Sequence, residues 1–267
     1  KISKFKKDIT VYGNTDFKKT FNLRYVNIEL RKNLFSSQTK NYVKKFIKLE
    51  KKNDSTIIEI HNRPSYIQIL SKEIKRKIFT LYFHNDPLSM DGSQTIQERK
   101  NLLKTCYKII FNSSWSKKRF LEGLENKFVN SDKLLIFHQS ASKGSIKLID
   151  KKEKWITFVG KLNKAKGYDV FASSIKKILD KNPDWEAKII GDEKREKITL
   201  SHNRAHILGF KKHNEVLSIF KKTSIAVACS RWEEPFGRTS LEASANGCAV
   251  IITNKGGLPE TVTNAKI

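Results

Sequence analysis

Short apolar runs separated by polar segments recur along this chain, and they predict strands and helices in alternation. The pattern is clearest in the second half. Five runs there have the length and composition of buried strands, at residues 155–160, 186–191, 204–209, 224–229 and 248–252. The segment after the first run carries apolar residues at helical spacing, at Val170, Phe171, Ile175, Ile178 and Leu179. Strands that alternate with helices are typical of an α/β domain with a parallel sheet.

The first half shows a similar alternation. Residues 55–60 and 78–83 are β-rich apolar runs, and each is followed directly by a histidine, His61 and His84. A proline three residues after each histidine ends the strand and begins a loop. Because the carboxyl ends of neighbouring strands meet at one edge of a sheet, we expect both histidines to line one crevice. A histidine that only caps its loop is the alternative for each.

Further elements are predicted towards the middle of the chain. Residues 108–111 and 134–137 have the composition of strands, and Ser113 or Ser114 is the expected N-cap of a helix that follows. Residues 140–154 are polar and rich in lysine, which is typical of an interdomain linker. We therefore predict two domains, at 1–145 and 146–267.

The most informative pair of residues lies near the end of the chain. Glu234 and Glu242 are eight positions apart, the first in a predicted loop and the second in a predicted helix that starts after Gly237. The loop follows a strand, at the end where open α/β sheets bind ligands. Pro235 and Phe236 constrain the turn, and Gly237 lets backbone N–H groups approach a ligand. Two such carboxylates can each bind a pair of hydroxyls, which indicates a nucleotide sugar. A solvated acidic pair is the alternative.

A nucleotide sugar leaves as a diphosphate, so its site needs positive charge. The sequence has no Asp-x-Asp pair and no His/Cys cluster with the spacing of metal ligands, which predicts that no metal is bound. Lys161 and Lys166, between Gly160 and Gly167, are the candidate cations for the two phosphates. The alternative is that both are ordinary surface lysines of a lysine-rich chain.

Several elements in the expected order make residues 155–260 similar to a known family. They are the strands listed above, the Glu-x7-Glu spacing and the turn Gly256-Gly-Leu-Pro-Glu260. Together they resemble the C-terminal domain of the retaining, GT-B-fold glycosyltransferases of group 1. The resemblance implies an α/β fold of two facing Rossmann-like domains, with the acceptor on the N-terminal domain and the nucleotide sugar on the C-terminal one. Two departures from the family pattern are Lys161, where arginine is common, and His138-Gln-Ser140, where an Asn-Gly turn is common.

The resemblance also implies roles for individual residues. Glu242 would bind the ribose hydroxyls, and Glu234 the ring hydroxyls of the donor sugar. The implied catalytic residues are His84, Lys166 and Glu234. The implied substrate-binding residues are Lys161, Phe236, Gly237, Glu242, Gly256, Gly257 and, on the acceptor side, His61. Transfer would retain the anomeric configuration by same-face attack, with no protein nucleophile and no cofactor besides the nucleotide-sugar substrate.

Family members begin with a strand, a glycine-rich loop and a long helix, and they end with helices that cross back to the first domain. This sequence begins instead with a basic stretch before a predicted strand at 8–12, and it stops shortly after Glu260. We therefore expect a fragment, with an incomplete N-terminal domain and without the C-terminal crossover helices.

Cysteine content and net charge indicate the cellular compartment and the kind of partner that we expect. Three cysteines, an odd and sparse set, fit a reducing cytoplasm. Fifty-three Lys and Arg against 27 Asp and Glu give a formal charge of +26. No helix-turn-helix, aromatic ribonucleoprotein motif or zinc finger concentrates this charge, so we expect no nucleic-acid partner. Basic stretches at 1–7 and 40–52 favour an anionic membrane surface, hence a peripheral position on the inner membrane face.

The resulting hypothesis is a glycosyltransferase that moves a hexose-type sugar to a glycan or lipid-linked acceptor in bacterial surface polysaccharide or lipopolysaccharide biosynthesis. A first alternative is a basic module that binds nucleic acid or membrane with a degenerate transferase fold. The second is an epimerase or phosphorylase of the same fold. An intact set of Lys161, Lys166, Glu234 and Glu242 separates the hypothesis from the first alternative.

Overall fold

A computed structural model describes residues 9–15, 24–30, 37–53, 55–142 and 152–262. The strands are β1 (Thr10–Gly13), β2 (Arg24–Asn27), β3 (Ile57–His61), β4 (Ile78–Phe83), β5 (Lys108–Phe111), β6 (Leu134–Ile136), β7 (Glu153–Val159), β8 (Glu186–Ile190), β9 (Ala205–Ile207), β10 (Thr223–Ala228) and β11 (Ala249–Ile252). The α-helices are α1 (Gln38–Asn53), α2 (Pro64–Glu73), α3 (Ile96–Thr105), α4 (Ser114–Leu121), α5 (Tyr168–Lys181), α6 (His213–Phe220) and α7 (Arg238–Ala245). The predicted alternation of strands and helices is confirmed.

Packing divides the chain into two compact units. The first unit contains residues 1–82 and 90–109, and the second contains 83–89 and 110–267. These bounds differ from the division at residue 145 expected from the sequence, which stays a prediction. Most of the predicted linker, at 143–151, lies outside the described residues, as does Asp8 of the predicted first strand.

Five parallel strands form the sheet of the second unit, in the order β11-β10-β7-β8-β9. One face of this sheet packs against α5, and the buried residues of that helix follow the expected i, i+3, i+4, i+7 spacing. They are Tyr168, Phe171, Ala172, Ile175 and Leu179. The predicted stripe is wrong at Val170 and Ile178, which are each 40% exposed because they lie off this face.

Strands β3 to β6 form a second sheet in sequence order, and β3 pairs with β4 in parallel. A separate parallel pair joins β1 to β2. In the first unit, α1 turns Val43, Phe46 and Ile47 inward and leaves its lysines exposed. No helix in the described part of the chain is long and apolar enough to cross a membrane.

A lysine is buried at the start of β7. The side chain of Lys152 donates hydrogen bonds to the carbonyl oxygens of Phe220 (3.1 Å), Thr223 (2.9 Å) and Asn246 (2.8 Å). These carbonyls end α6, begin β10 and cap α7, so one ammonium group neutralises the negative ends of two helices. Burial lowers the pKa of Lys152 and raises the pKa of the neighbouring Cys248 thiol to about 11.

Candidate active site

The loop between β10 and α7 places the two predicted glutamates. Glu234 lies in this loop, and Glu242 lies in the second turn of α7. Gly237 precedes the helix with a φ of +101°, and a Cβ atom there would come 2.5 Å from the side chain of Leu258. Only glycine fits this position, because it alone combines left-handed backbone with the required close approach. The first N–H groups of α7 are thereby presented at the end of the loop.

A second loop, between β7 and α5, meets the first. Gly167 has a φ of +71°, and a Cβ atom there would lie 1.8 Å from the carbonyl oxygen of Cys229 at the end of β10. The N–H groups of Arg231 and Trp232 both donate to the carbonyl oxygen of Ala165 at 3.0 Å. These contacts fix the loops to one another. They bring Lys166 into an ion pair with Glu234 Oε1.

The turn at Gly256 and Gly257 packs against the backbone of Glu234. The N–H of Gly257 donates to the carbonyl oxygen of Glu234 at 2.6 Å. Gly256 has a φ of +60°, and a Cβ atom there would lie 2.1 Å from the same oxygen. A Cβ atom at Gly257 would lie 2.5 Å from the carbonyl oxygen of Pro235, so neither position has room for a side chain. The predicted contact of both glycines with substrate stays a prediction.

These loops enclose a cavity of about 410 Å³, within the usual range for small-molecule sites. Five residues predicted from the sequence line it: His84, Lys166, Glu234, Phe236 and Gly237. Phe236 is 3% exposed, and its ring stacks on His138 with 5.6 Å between ring centroids. The structure thus brings together Lys166, Glu234 and the start of α7 in one wall.

Glu242 is oriented by the side chains of two neighbouring residues. Its Oε1 accepts hydrogen bonds from Nη2 of Arg238 at 2.8 Å and from Nε2 of His213 at 3.1 Å. The Glu242 side chain is 11% exposed, whereas those of Arg238 and His213 are 62% and 58% exposed. A largely buried carboxylate that is held by two exposed donor side chains is suited to accept hydrogen bonds from hydroxyl groups.

His84 follows β4 and is held at two points. Its carbonyl oxygen accepts a hydrogen bond from Asn112 Nδ2 at 2.8 Å, and its ring Nδ1 lies 3.2 Å from Gln139 Nε2. Asn112 directly follows β5, and Gln139 lies three residues beyond β6. Polar residues just past the ends of three strands therefore form this wall of the cavity.

Glu260 joins the Gly-Gly turn to the start of α4. Its carboxylate accepts hydrogen bonds from the N–H groups of Ser114 (2.6 Å) and Trp115 (3.0 Å) and from His138 (3.1 Å). Burial by itself would raise the pKa of the Glu260 carboxyl. The hydrogen bonds outweigh burial and hold this pKa below its usual value.

Five predicted residues are not among those that line this cavity: Lys161, His61, Glu242, Gly256 and Gly257. Lys161 is exposed in the loop after β7 and is not among the lining residues. His61 belongs to the first unit, where its ring stacks on Tyr82 with 4.6 Å between centroids. The roles predicted for all five residues stay predictions.

The sequence reasoning missed several polar residues of the wall. They are Asn85, Asn112, Gln139, Ser230, Arg238, Thr239 and Ser240. Each lies just beyond a strand end or in the first turn of α7, which is the signal that could have found them. Over the same described ranges, no group of three or more His, Cys, Asp or Glu side chains could hold a metal ion.

Comparison with known proteins gives relatives for this chain. The spore coat protein SA of Bacillus subtilis is 24% identical over 243 residues, which cover 81% of this chain and 64% of that protein. The lipopolysaccharide core biosynthesis mannosyltransferase LpsB of Rhizobium meliloti is 30% identical over 125 residues, covering 43% of this chain and 35% of that protein. The chain thus spans less than two-thirds of the length of these relatives.

The fold has solved counterparts. The crystal structure of HepE from Anabaena in complex with UDP-glucose superposes with a TM-score of 0.64 and 16% identity, over 84% of this chain and 66% of that one. At this identity the likeness shows the fold alone, the α/β fold with parallel sheets of GT-B glycosyltransferases. Residues 142–267 match the family model described as glycosyl transferases group 1. Over these residues, which include Glu234 and Glu242, the chain is therefore similar to the group 1 glycosyltransferases.

Proposed function

We propose that this chain belongs to a retaining glycosyltransferase that moves a hexose-type sugar from a nucleotide-sugar donor to a glycan or glycolipid acceptor. The observation that carries the proposal is the ion pair of Lys166 and Glu234 in the cavity wall, next to the start of α7. A cation, a carboxylate and free helix N–H groups are the three kinds of group that a sugar diphosphate needs.

The donor contacts follow from this chemistry. Lys166 binds the diphosphate together with the first N–H groups of α7, and the exposed Lys161 adds a second cation from the same loop. Glu234, released from Lys166, accepts hydrogen bonds from hydroxyls of the donor sugar. Glu242 accepts hydrogen bonds from the ribose. The complex of HepE with UDP-glucose supports a nucleotide sugar as the class of donor.

The transfer step needs no protein nucleophile. The bond between the anomeric carbon and the phosphate oxygen breaks, and the acceptor oxygen bonds to the same carbon from the same face. The acceptor proton passes to the leaving phosphate oxygen, so the charge that develops is negative and lies on the diphosphate. Lys166 and the α7 N–H groups stabilise that charge without a metal ion.

The acceptor is proposed on independent grounds. LpsB, a relative, is a mannosyltransferase of lipopolysaccharide core biosynthesis, which favours a bacterial surface glycan or its lipid-linked precursor. The exposed lysines of α1 favour an anionic membrane surface as the place of reaction.

A thermal-shift screen of nucleoside diphosphates and nucleotide sugars, in buffer with a chelator, tests the proposal. A ligand at a hundred times its dissociation constant adds about 2.7 kcal/mol to the unfolding free energy. We expect at least one nucleotide to stabilise the protein in the presence of chelator. Lys166→Ala should reduce this stabilisation, and Lys176→Ala, which removes an exposed lysine of α5, should not.

Two results would contradict the proposal. One is the absence of stabilisation by every nucleotide tried. The other is stabilisation that requires Mg²⁺ or Mn²⁺ and is unchanged by Lys166→Ala, because the diphosphate would then be bound by a metal at a different place.

A further inference from the structure

The chemistry of the two groups decides which of Gln139 and His84 donates the hydrogen bond between them. Gln139 Nε2 lies 3.2 Å from His84 Nδ1, and both side chains line the cavity. An amide nitrogen carries two protons and no available lone pair, so it can only donate. The ring nitrogen that faces it must therefore accept, and an accepting Nδ1 places the ring proton on Nε2.

The orientation of the amide decides this point, since Gln139 could be turned by half a rotation about its last bond. In the structure its Oε1 is buried and has no hydrogen-bond partner among the described residues. If the amide were turned, Oε1 would face His84, and the NH₂ group would take the buried position that Oε1 now has. Both N–H groups of that NH₂ would then lack acceptors. Orphaned buried N–H groups are rarer in proteins than under-satisfied carbonyl groups. The amide orientation with Nε2 facing His84 is the favoured one.

The backbone of His84 is fixed separately. Asn112 Nδ2 donates to the His84 carbonyl oxygen at 2.8 Å, and Asn112 Oδ1 accepts from Ser116 Oγ at 2.9 Å. The first bond sets which end of the Asn112 amide faces His84, because a carbonyl oxygen can only accept a hydrogen bond. Because the main chain is held in this way, the contact with Gln139 acts on the ring alone.

We propose that Gln139 is a positioning residue that holds His84 as the neutral tautomer with its proton on Nε2. A doubly protonated ring would place an N–H group against the amide N–H, which the contact disfavours. In this state His84 offers a hydrogen-bond donor and no basic lone pair at Nε2. It can donate to an oxygen of the bound donor, and it does not take the proton of the acceptor.

This role in transfer rests on the proposed function, whereas the tautomer does not. The tautomer is read directly from ¹⁵N chemical shifts and long-range ¹H–¹⁵N correlations of the imidazole rings of the full chain at pH 8. The six histidines are distinguished by comparison with His84→Ala. We expect wild-type His84 to show the Nε2–H pattern.

Two substitutions of Gln139 separate positioning from packing. Gln139→Leu removes the donor to His84 and also the unpaired buried oxygen, so the variant should fold, and His84 should become a mixture of tautomers. Gln139→Glu presents only acceptor oxygens, so it should move the proton to Nδ1 or charge the ring. An Nδ1–H pattern in the wild type, or an Nε2–H pattern unchanged in both variants, would overturn the proposal.

Activity gives the second readout. With a nucleotide sugar that the protein binds, Gln139→Glu should lower kcat at least tenfold and change KM less, because the donated hydrogen bond is lost while donor contacts elsewhere remain. An unchanged kcat in Gln139→Glu overturns the role in transfer. If the tautomers behave as expected and no nucleotide sugar binds or reacts, the glycosyltransferase assignment fails and the positioning role stands.

Discussion

At the scale of single residues, Glu242 presents a carboxylate whose Oε1 is already bound by Arg238 and His213. The two partners hold the carboxylate in one orientation, so little side-chain entropy is lost when a ribose binds. Hydrogen bonds to a charged group are worth about 1.5 to 3 kcal/mol. Glu242→Ala should therefore weaken nucleoside diphosphate binding by tenfold or more, as measured by titration calorimetry.

Glu234→Ala is the contrast to that substitution. It releases Lys166 from its ion pair, so nucleoside diphosphate binding should be unchanged or tighter, while sugar transfer slows. Glu125→Ala removes an exposed glutamate paired with Lys127 and should change neither quantity. Equal nucleotide affinity in the wild type and in Glu242→Ala would refute the ribose assignment.

The sequence predicted five residues of the cavity wall because each follows from a strand end or from the Glu-x7-Glu spacing. It did not predict the contact of Gln139 with His84, which depends on the conformation of a loop three residues beyond β6. The ion pair of Lys166 with Glu234 was also missed. Spacing locates both residues on neighbouring loops, but only the packing of Gly167 on the end of β10 brings the charges together.

At the scale of elements, α4 is capped by a residue far away in the sequence. Ser113 Oγ accepts a hydrogen bond from the N–H of Ser116, as predicted for an N-cap. The preceding N–H groups, of Ser114 and Trp115, donate to Glu260. Hydrophobic periodicity could predict the helix and its local cap, but a carboxylate 146 positions away from Ser114 leaves no local signal.

Glu260→Gln should lower the free energy of unfolding by about 1 kcal/mol at pH 7, the usual value for a lost helix cap with its charge. The folded-state pKa of this carboxyl lies below its unfolded value. Its contribution is therefore fully present above the unfolded pKa of about 4.3 and is lost as the pH falls through the folded pKa. Urea unfolding of both proteins at a series of pH values measures the difference.

Glu122→Gln is the matched control at the opposite end of α4, where Glu122 is the C-cap residue. A carboxylate there gains nothing from the helix dipole, and its ion pair with Arg119 is largely exposed. We expect a change within about 0.5 kcal/mol. A difference between Glu260→Gln and the wild type that does not shrink in acid would show that packing, rather than charge, causes the loss.

At the scale of the whole molecule, the formal charge of +26 exceeds what the cavity uses. Part of the excess lies on α1, which buries an apolar face and exposes Lys40, Lys44, Lys45, Lys48, Lys51 and Lys52. Lys45 also donates a hydrogen bond to the carbonyl oxygen of Glu29. An exposed face with this many like charges is costly in isolation, and an anionic surface would relieve the repulsion.

Binding to anionic vesicles should therefore rise with the fraction of anionic lipid and fall with salt, because surface charges are screened within about 8 Å at physiological ionic strength. Replacing Lys44, Lys45 and Lys48 with Gln should weaken binding in a vesicle-sedimentation assay. Replacing the exposed Lys176, Lys177 and Lys181 of α5 with Gln removes the same charge and should have a smaller effect. Equal losses from both triple variants would show that net charge alone, and not α1, decides the attraction.

The reactivity of the buried Lys152 amine can be used to measure how often the second unit opens. It is the only buried lysine in the described ranges, at 8% exposure, and its ammonium group is enclosed by carbonyl oxygens from α6, α7 and β10. Amine-acylating reagents reach the exposed lysines of the folded chain at once, but they reach Lys152 only when the start of β7 separates from those helix ends. The rate at which Lys152 is acylated therefore reports the opening of this unit. A bound nucleotide that holds α7 in place would slow that rate.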